Sequence, residues 1–331
     1  MSRTGIHIIK IIISVVITGG IVYYLYRNGY FLTFSQAGGS DWAVLLLLTL
    51  ASYFVSGWQL WYLVRFISGK SIHWTDILFM PMSMSLFGYI IPANGGFLYS
   101  VYFLKKKNAV DTTNGFSVAV VTLYLSFIVS GLAFLIASWV TQILEWHLFL
   151  IALALVLSPL LVTGGNMMLA LLPLKAGSRA ERARKYLDSV IRQSNSMLLN
   201  RQVVLMNFLF TLVSLFLFFM MYFWINKSLG LGLSLVSLLA LLALMRISSL
   251  IRILPGNLGL EELFTAGLFG LIGHDPSVGL VFSVFLRFCS VIIMIPFGIS
   301  HTAFNTKYFS MKDLRHLLPR RKKRDEQSTP G

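Results

Sequence analysis

The stretches Pro92-Ala93-Asn94-Gly95-Gly96 and Pro255-Gly256-Asn257-Leu258-Gly259 interrupt long apolar segments of the chain and share the pattern P-x-N-x-G. Proline ends a helix because it lacks an N–H group, and glycine reaches backbone angles that other residues avoid. Broken backbone inside a bilayer is tolerated only where protein or a water-filled cavity satisfies its polar groups. Two breaks in corresponding positions of two halves of a chain are typical of a transporter's binding site.

The composition predicts a polytopic membrane protein. Of 331 residues, 56% are hydrophobic and only 12% are charged, and the mean hydropathy is +0.77. Soluble domains do not need so much apolar surface, and several runs exceed the roughly 20 residues that span a bilayer. The net charge of +15 lies in connecting segments, so it indicates topology rather than a nucleic-acid partner.

The distribution of lysine and arginine predicts which ends of the spans are cytoplasmic. Basic residues are expected on the cytoplasmic side, and they concentrate at residues 105–107, 175–201 and 307–324. Residues 28–41 and 145–147 are poor in lysine and arginine and are expected outside. We therefore expect a multi-pass protein of the plasma (bacterial inner) membrane with both termini in the cytoplasm.

These constraints predict an all-α fold with about six full spans and two broken or re-entrant helical hairpins. The spans are residues 6–26, 42–66, 116–143, 147–173, 203–225 and 277–304, and the hairpins are residues 75–104 and 231–274. Residues 1–143 and 147–304 then form an inverted-topology repeat, followed by a basic cytoplasmic tail over 305–331. Two alternatives stay open: residues 231–253 are long enough to cross fully, or the Pro and Gly residues only kink a helical bundle. Residues 178–196 are predicted to form an amphipathic helix at the membrane surface, with a plain cytoplasmic connector as the alternative.

Ionisable residues inside predicted spans are candidates for function because each is costly there. They concentrate in the second half of the chain, at Arg246, Arg252, Glu261, Glu262 and Arg287. We predict a Glu262–Arg287 ion pair, with the carboxylate near the start of the helix that follows the second break. The pair either opens when a lipid phosphate competes for the arginine or is a static pair that fixes helix register.

The two asparagines of the repeated pattern are candidate helix caps. Asparagine caps the N-terminus of a helix, and such an N-terminus suits an anion such as phosphate; a plain structural turn is the alternative. The predicted substrate-binding residues are therefore Arg287, Glu262, Arg252, Arg246, Asn94 and Asn257. The predicted residues of the helix breaks are Pro92, Gly95, Gly96, Pro255, Gly256 and Gly259.

Neither a cofactor nor a metal is indicated by the sequence. The six histidines are scattered without metal-ligand spacing, and no nucleophile–base pair is apparent. We therefore expect that the protein is not an enzyme.

A family resemblance rests on these same residues. The segment from Ile253 to Glu262, followed by a span that contains Arg287, is similar to the lysylphosphatidylglycerol synthase transmembrane region family. Pro255, Gly259, Glu262 and Arg287 match its C-terminal pattern, and Pro92 with Gly95-Gly96 matches its upstream Pro-to-Gly-Gly element. The resemblance implies a flippase-like domain, here expected as a stand-alone membrane protein without a synthase domain.

The function expected from this reasoning is that of a lipid flippase or scramblase-like transporter. Its partners would be membrane lipids with anionic head groups. Three alternatives stay open: an accessory protein that works with envelope-biogenesis proteins of lipid or polysaccharide assembly, a membrane-embedded head-group enzyme, and a small-solute transporter.

Overall fold

A computed structural model describes residues 3–30, 37–91, 95–141, 179–248, 255–306 and 308, and within them all regular structure is helical. The helices are α1 (Arg3–Arg27), α2 (Gly39–Ser68), α3 (Trp74–Ile90), α4 (Gly95–Asn108), α5 (Thr112–Thr141), α6 (Arg179–Leu199), α7 (Arg201–Ser228), α8 (Leu235–Ser248), α9 (Leu260–Leu271) and α10 (Pro276–Phe304). A 3-10 turn, Pro255–Asn257, precedes α9. The chain is an all-α polytopic membrane protein, as predicted.

Four helices of the described residues are long and apolar enough to cross a bilayer. They are α2, α5 over Thr112–Ala137, α7 and α10, and they coincide with the predicted spans 42–66, 116–143, 203–225 and 277–304. Helix α1 covers the predicted span 6–26 with 25 residues. The predicted span 147–173 lies outside the described residues.

The first broken segment consists of two packed helices, each too short to span. Helix α3 has 17 residues and α4 has 14, or about 25 and 21 Å at 1.5 Å per residue. Lys107 near the end of α4 donates to Asp76 at the start of α3, with Nζ–Oδ1 2.8 Å. This bond shows that the pair begins and ends at the same end of the molecule. A Cβ added to Gly96 would lie 1.8 Å from the Met84 carbonyl oxygen, so glycine is required for the close packing of α3 on α4.

The second broken segment is built in the same way from α8 and α9. These helices have 14 and 12 residues, or about 21 and 18 Å. The described part of α8 is thus shorter than a hydrocarbon core of about 30 Å, and residues 249–254, which follow it, lie outside the described residues.

Hydrogen bonds define two ends of the helix bundle. At the Asp41 end, the Trp224 indole donates to Asp41 (3.0 Å), and Tyr24 and Ser277 share a hydroxyl hydrogen bond (2.9 Å). The Lys107 end holds the Asp76–Lys107 pair. Helix α8 follows α7 at the Asp41 end, and α9 returns there before α10, whereas α3 and α4 start and finish at the Lys107 end.

Helix α6 is amphipathic and packs against the start of α5. Ser117 of α5 donates to the Val190 carbonyl oxygen of α6 at 3.0 Å, while the Lys185–Glu181 and Arg192–Asp188 pairs lie on its exposed face. The helix predicted over residues 178–196 is therefore present, and it covers α5 at the Lys107 end.

Candidate functional site

Arg287 of α10 binds both sides of the second helix break. Its Nε contacts Glu262 Oε1 at 2.6 Å, one Nη donates to Glu261 Oε2 at 2.9 Å, and the other donates to the Gly256 carbonyl oxygen at 3.0 Å. The predicted Glu262–Arg287 ion pair is therefore present. The sequence reasoning did not give Glu261 a role. We call these residues, with Gly259 and Tyr89, the Arg287 cluster.

Glu262 also caps helix α9. Its Oε2 accepts from the backbone N–H of Gly259 at 2.7 Å, so a carboxylate of the protein occupies the helix N-terminus that the sequence suggested for a phosphate. The expectation that Asn257 caps this helix is wrong. Asn257 sits at φ 49° and is buried, and its Oδ1 has no hydrogen-bond partner among the described residues.

The tip of the first hairpin packs on the second break. A Cβ on Gly256 would lie 2.6 Å from the Tyr89 ring, and the φ of Gly256 is +57°, so glycine is needed there for space and for conformation. The Arg287 guanidinium lies over the same ring, 5.5 Å from its centroid, at a distance typical of a cation–π contact. The two breaks therefore meet through Tyr89, which lies at the end of α3.

A cavity of about 490 Å³ lies among the helices, within the size range of small-ligand sites. Helices α2, α3, α4, α5, α7 and α8 all contribute to its wall. It extends from Leu104 and Gly115, near the Lys107 end, to Tyr53, Ser126 and Ser214. Tyr53, Ser126 and Ser214 lie 13 to 15 residues along their helices from the Lys107 end, which corresponds to about 20 Å. The cavity thus reaches from the Lys107 end toward the middle of the bundle.

Arg246 provides the only charge on the described wall of the cavity, at its deep end. Its Nη2 donates to Ser214 at 3.1 Å, and its guanidinium stacks 4.2 Å from the centroid of the Phe218 ring. Arg287 does not line the cavity. The nearest link to its cluster is Tyr89, one helical turn beyond the cavity-lining Ser85 on α3.

The structure separates the predicted site residues into two groups. Arg287, Glu262 and Asn257 lie at the second break, with Pro255 to Gly259, whereas Arg246 lies in the cavity wall. Gly95 and Gly96 begin α4, and Gly96 also lines the cavity. Pro92, Asn94 and Arg252 lie outside the described residues.

A second buried charged cluster, at the Lys107 end, was not predicted. Asp76 is fully buried; besides Lys107, its Oδ1 contacts His301 Nε2 at 3.1 Å, and its Oδ2 has no partner among the described residues. The other ring nitrogen of His301 lies 2.9 Å from Ser83 Oγ. The sequence contained one indication of this cluster. Asp76 is a carboxylate within the apolar hairpin segment 75–104, where a charged group needs a partner.

Over residues 11–298, the sequence matches the profile of the family described as Lysylphosphatidylglycerol synthase TM region. No curated protein and no solved structure matches the chain. The match agrees with the resemblance of the two break segments and covers the described helices from α1 to α10.

Proposed function

Because the chain belongs to the lysylphosphatidylglycerol synthase transmembrane region family, we propose that it moves a lipid head group across the bilayer, as a flippase or scramblase. The observation that carries the proposal is the cavity. It is walled by helices of both broken segments and holds one guanidinium about 20 Å from the Lys107 end. A head group entering from that end would leave its acyl chains in the bilayer and bring its phosphate toward Arg246.

The arrangement of the helices supports alternating access. The two broken segments start from opposite ends of the bundle and touch through Tyr89 and Gly256. We interpret them as the hairpins of an inverted-topology repeat, the kind of architecture that rocks around a central site in secondary transporters. Beyond the deep end of the cavity, the Arg287 cluster closes the path to the Asp41 end. Separating Tyr89 from Gly256 would open it.

The orientation in the membrane is part of the proposal. Lys105, Lys106 and Lys107 end α4 on the cavity side, and basic residues favour the cytoplasmic face. The cavity as described then opens to the cytoplasm of the cell, and the membrane would be the plasma (bacterial inner) membrane.

The test is lipid transfer by purified protein in liposomes. An impermeant reagent reduces, and so bleaches, the fluorescent phospholipid that is in the outer leaflet. Transfer is the bleached fraction in excess of the share of lipid that the outer leaflet holds without protein. Ala119→Trp, which fills the cavity from α5, should abolish the extra bleaching. Ile136→Trp on the same helix is 59% exposed and should not. Equal transfer by both variants would reject a path through the cavity. If the wild type transfers no lipid, the accessory role in envelope assembly is favoured.

One observation favours a different class, a membrane-embedded enzyme. Ser83, His301 and Asp76 form a hydrogen-bonded chain in the order of a hydrolase triad. Their burial opposes that role, since Ser83 has 0% exposure and its hydroxyl also donates to the Gly298 carbonyl oxygen. Head-group release from phospholipid by the wild type, lost in Ser83→Ala, would establish the enzyme.

A further inference from the structure

The charge of the cavity wall distinguishes between head groups. Among the described lining residues, Arg246 is charged and none is Asp, Glu, Lys or His. A phosphodiester would bring negative charge to the guanidinium and accept a charge-assisted hydrogen bond from it. A head group that also carries ammonium groups would add positive charge without finding a carboxylate in this wall.

Four hydroxyl groups of the wall have oxygens that can act as hydrogen-bond acceptors. Ser56, Ser100, Thr122 and Thr211 each donate to a carbonyl oxygen of their own helix, at 2.7 to 2.9 Å. Because a hydroxyl has one proton and two lone pairs, these oxygens can still accept, although Thr211 Oγ1 already accepts one hydrogen bond from the Gln59 amide at 3.2 Å. They suit a ligand that brings O–H donors, such as the glycerol or sugar of a head group.

We propose that this cavity takes a phosphoester head group of net negative charge that carries hydroxyl groups and no amine. The phosphate lies at Arg246 and the hydroxyls lie against the serines and threonines of α2, α4, α5 and α7. The assignment of this head group to a lipid rests on the proposed function. The inference deepens that function because it states which lipids are moved. The family description names a lysyl lipid, whose amines this wall does not match.

The expected size of this preference among head groups follows from the repulsion between Arg246 and an ammonium group of the ligand. Repulsion between two like charges in a wall of effective dielectric constant about 20 gives a preference on the order of 30-fold for the anionic head group over a lipid with one more positive charge near the arginine.

The experiment compares fluorescent lipids in the same proteoliposomes. Phosphatidylglycerol, phosphatidylethanolamine and lysyl-phosphatidylglycerol have net charges of about −1, 0 and +1. We expect phosphatidylglycerol to transfer at least about tenfold faster than the lysyl lipid. Arg246→Gln should remove most of this preference, and Arg246→Lys should retain part of it, because lysine keeps the charge without the planar fork. Arg192→Gln, on the exposed face of α6, is the control and should match the wild type.

The wild-type lipid comparison stands even if an Arg246 variant does not fold. Equal transfer of the three lipids, or the same preference in correctly folded Arg246→Gln, overturns the head-group inference and leaves lipid translocation intact. Transfer of no lipid overturns the proposed function instead. Uptake of radiolabelled glycerol phosphate into the liposomes, without lipid transfer, would support the anion site and overturn its assignment to lipids.

Discussion

Replacing Glu262 with glutamine removes the carboxylate that both caps α9 and pairs with Arg287. Replacing its neighbour Glu261 removes a partner of the same arginine at an exposed edge. The side chain of Glu262 is 3% exposed, that of Arg287 is 12% exposed, and that of Glu261 is 37% exposed. Glu262→Gln leaves Arg287 paired with Glu261, so its cost is that of one buried charge-assisted hydrogen bond, about 1.5–3 kcal/mol, together with that of the helix cap, about 1 kcal/mol. The more exposed pair with Glu261 contributes about 1 kcal/mol or less. Glu262→Gln should therefore lower the free energy of unfolding by about 3 kcal/mol, and Glu261→Gln by no more than about 1 kcal/mol.

The single cysteine of the chain can serve as the probe for measuring the free energy of unfolding. Cys289 is the single cysteine, is fully buried, and lies two residues after Arg287 on α10. Its reaction with a fluorogenic maleimide, followed while mixed micelles are titrated with a denaturing detergent, reports the unfolding of this part of the molecule. Glu181→Gln, which breaks an exposed pair on α6, is the matched control and should change stability by less than about 0.5 kcal/mol.

A double-mutant cycle separates the ion pair from other effects. If Glu262 and Arg287 act as a pair, Glu262→Gln with Arg287→Gln should lose about 2 kcal/mol less than the sum of the single variants. Equal losses for Glu261→Gln and Glu262→Gln, or additive single losses, would refute the assignment of Glu262 as the buried partner.

Two further predictions use the same assay. Gly256→Ala should cost about 3 kcal/mol, because the new Cβ meets the Tyr89 ring at 2.6 Å and the backbone has positive φ. Gly230→Ala, with similar φ and nothing within 4 Å, should cost only about 1 kcal/mol, and equal costs would contradict the packing of the two breaks. Lys107→Gln should cost about 3 kcal/mol by leaving the buried Asp76 carboxylate without its ammonium partner. Adding Asp76→Asn should restore part of that loss, and an additive loss would show that the two do not form a stabilising pair.

The helix order and the Glu262–Arg287 pair could be predicted because they follow from local rules. Basic residues at the ends of apolar runs constrain the path of the chain, and Pro and Gly mark where helices stop. Opposite charges a short distance inside neighbouring apolar segments have few other ways to be satisfied. Glu262, three residues after Gly259, is also in the position from which a carboxylate caps a helix.

The rest of the site depends on which helices pack together, and no local pattern shows that. Asn257 looked like the cap of α9, but the carboxylate at the third helical position takes that role. Asp76 and His301 are 225 residues apart in sequence and meet only because α10 packs on α3. The sequence indicated Arg287 more strongly than Arg246, because a tilted span could bring Arg246 to an interface. Only the packing of α8 on α5 and α7 brings Arg246 to the cavity.

The different surroundings of these two arginines bear on how an anion would pass. A phosphate that approaches Arg287 meets two carboxylates and one guanidinium, a cluster with a formal charge of −1. Competition of a lipid phosphate for Arg287 therefore works against charge repulsion, whereas the described cavity wall to which Arg246 belongs contains no Asp or Glu. The arrangement favours an anion that stays at Arg246 while the Tyr89–Gly256 contact opens, with Arg287 holding α10 to the second break. On this reasoning, Arg287→Gln changes how readily the path opens and leaves the preference among head groups unchanged, whereas Arg246→Gln changes the preference itself.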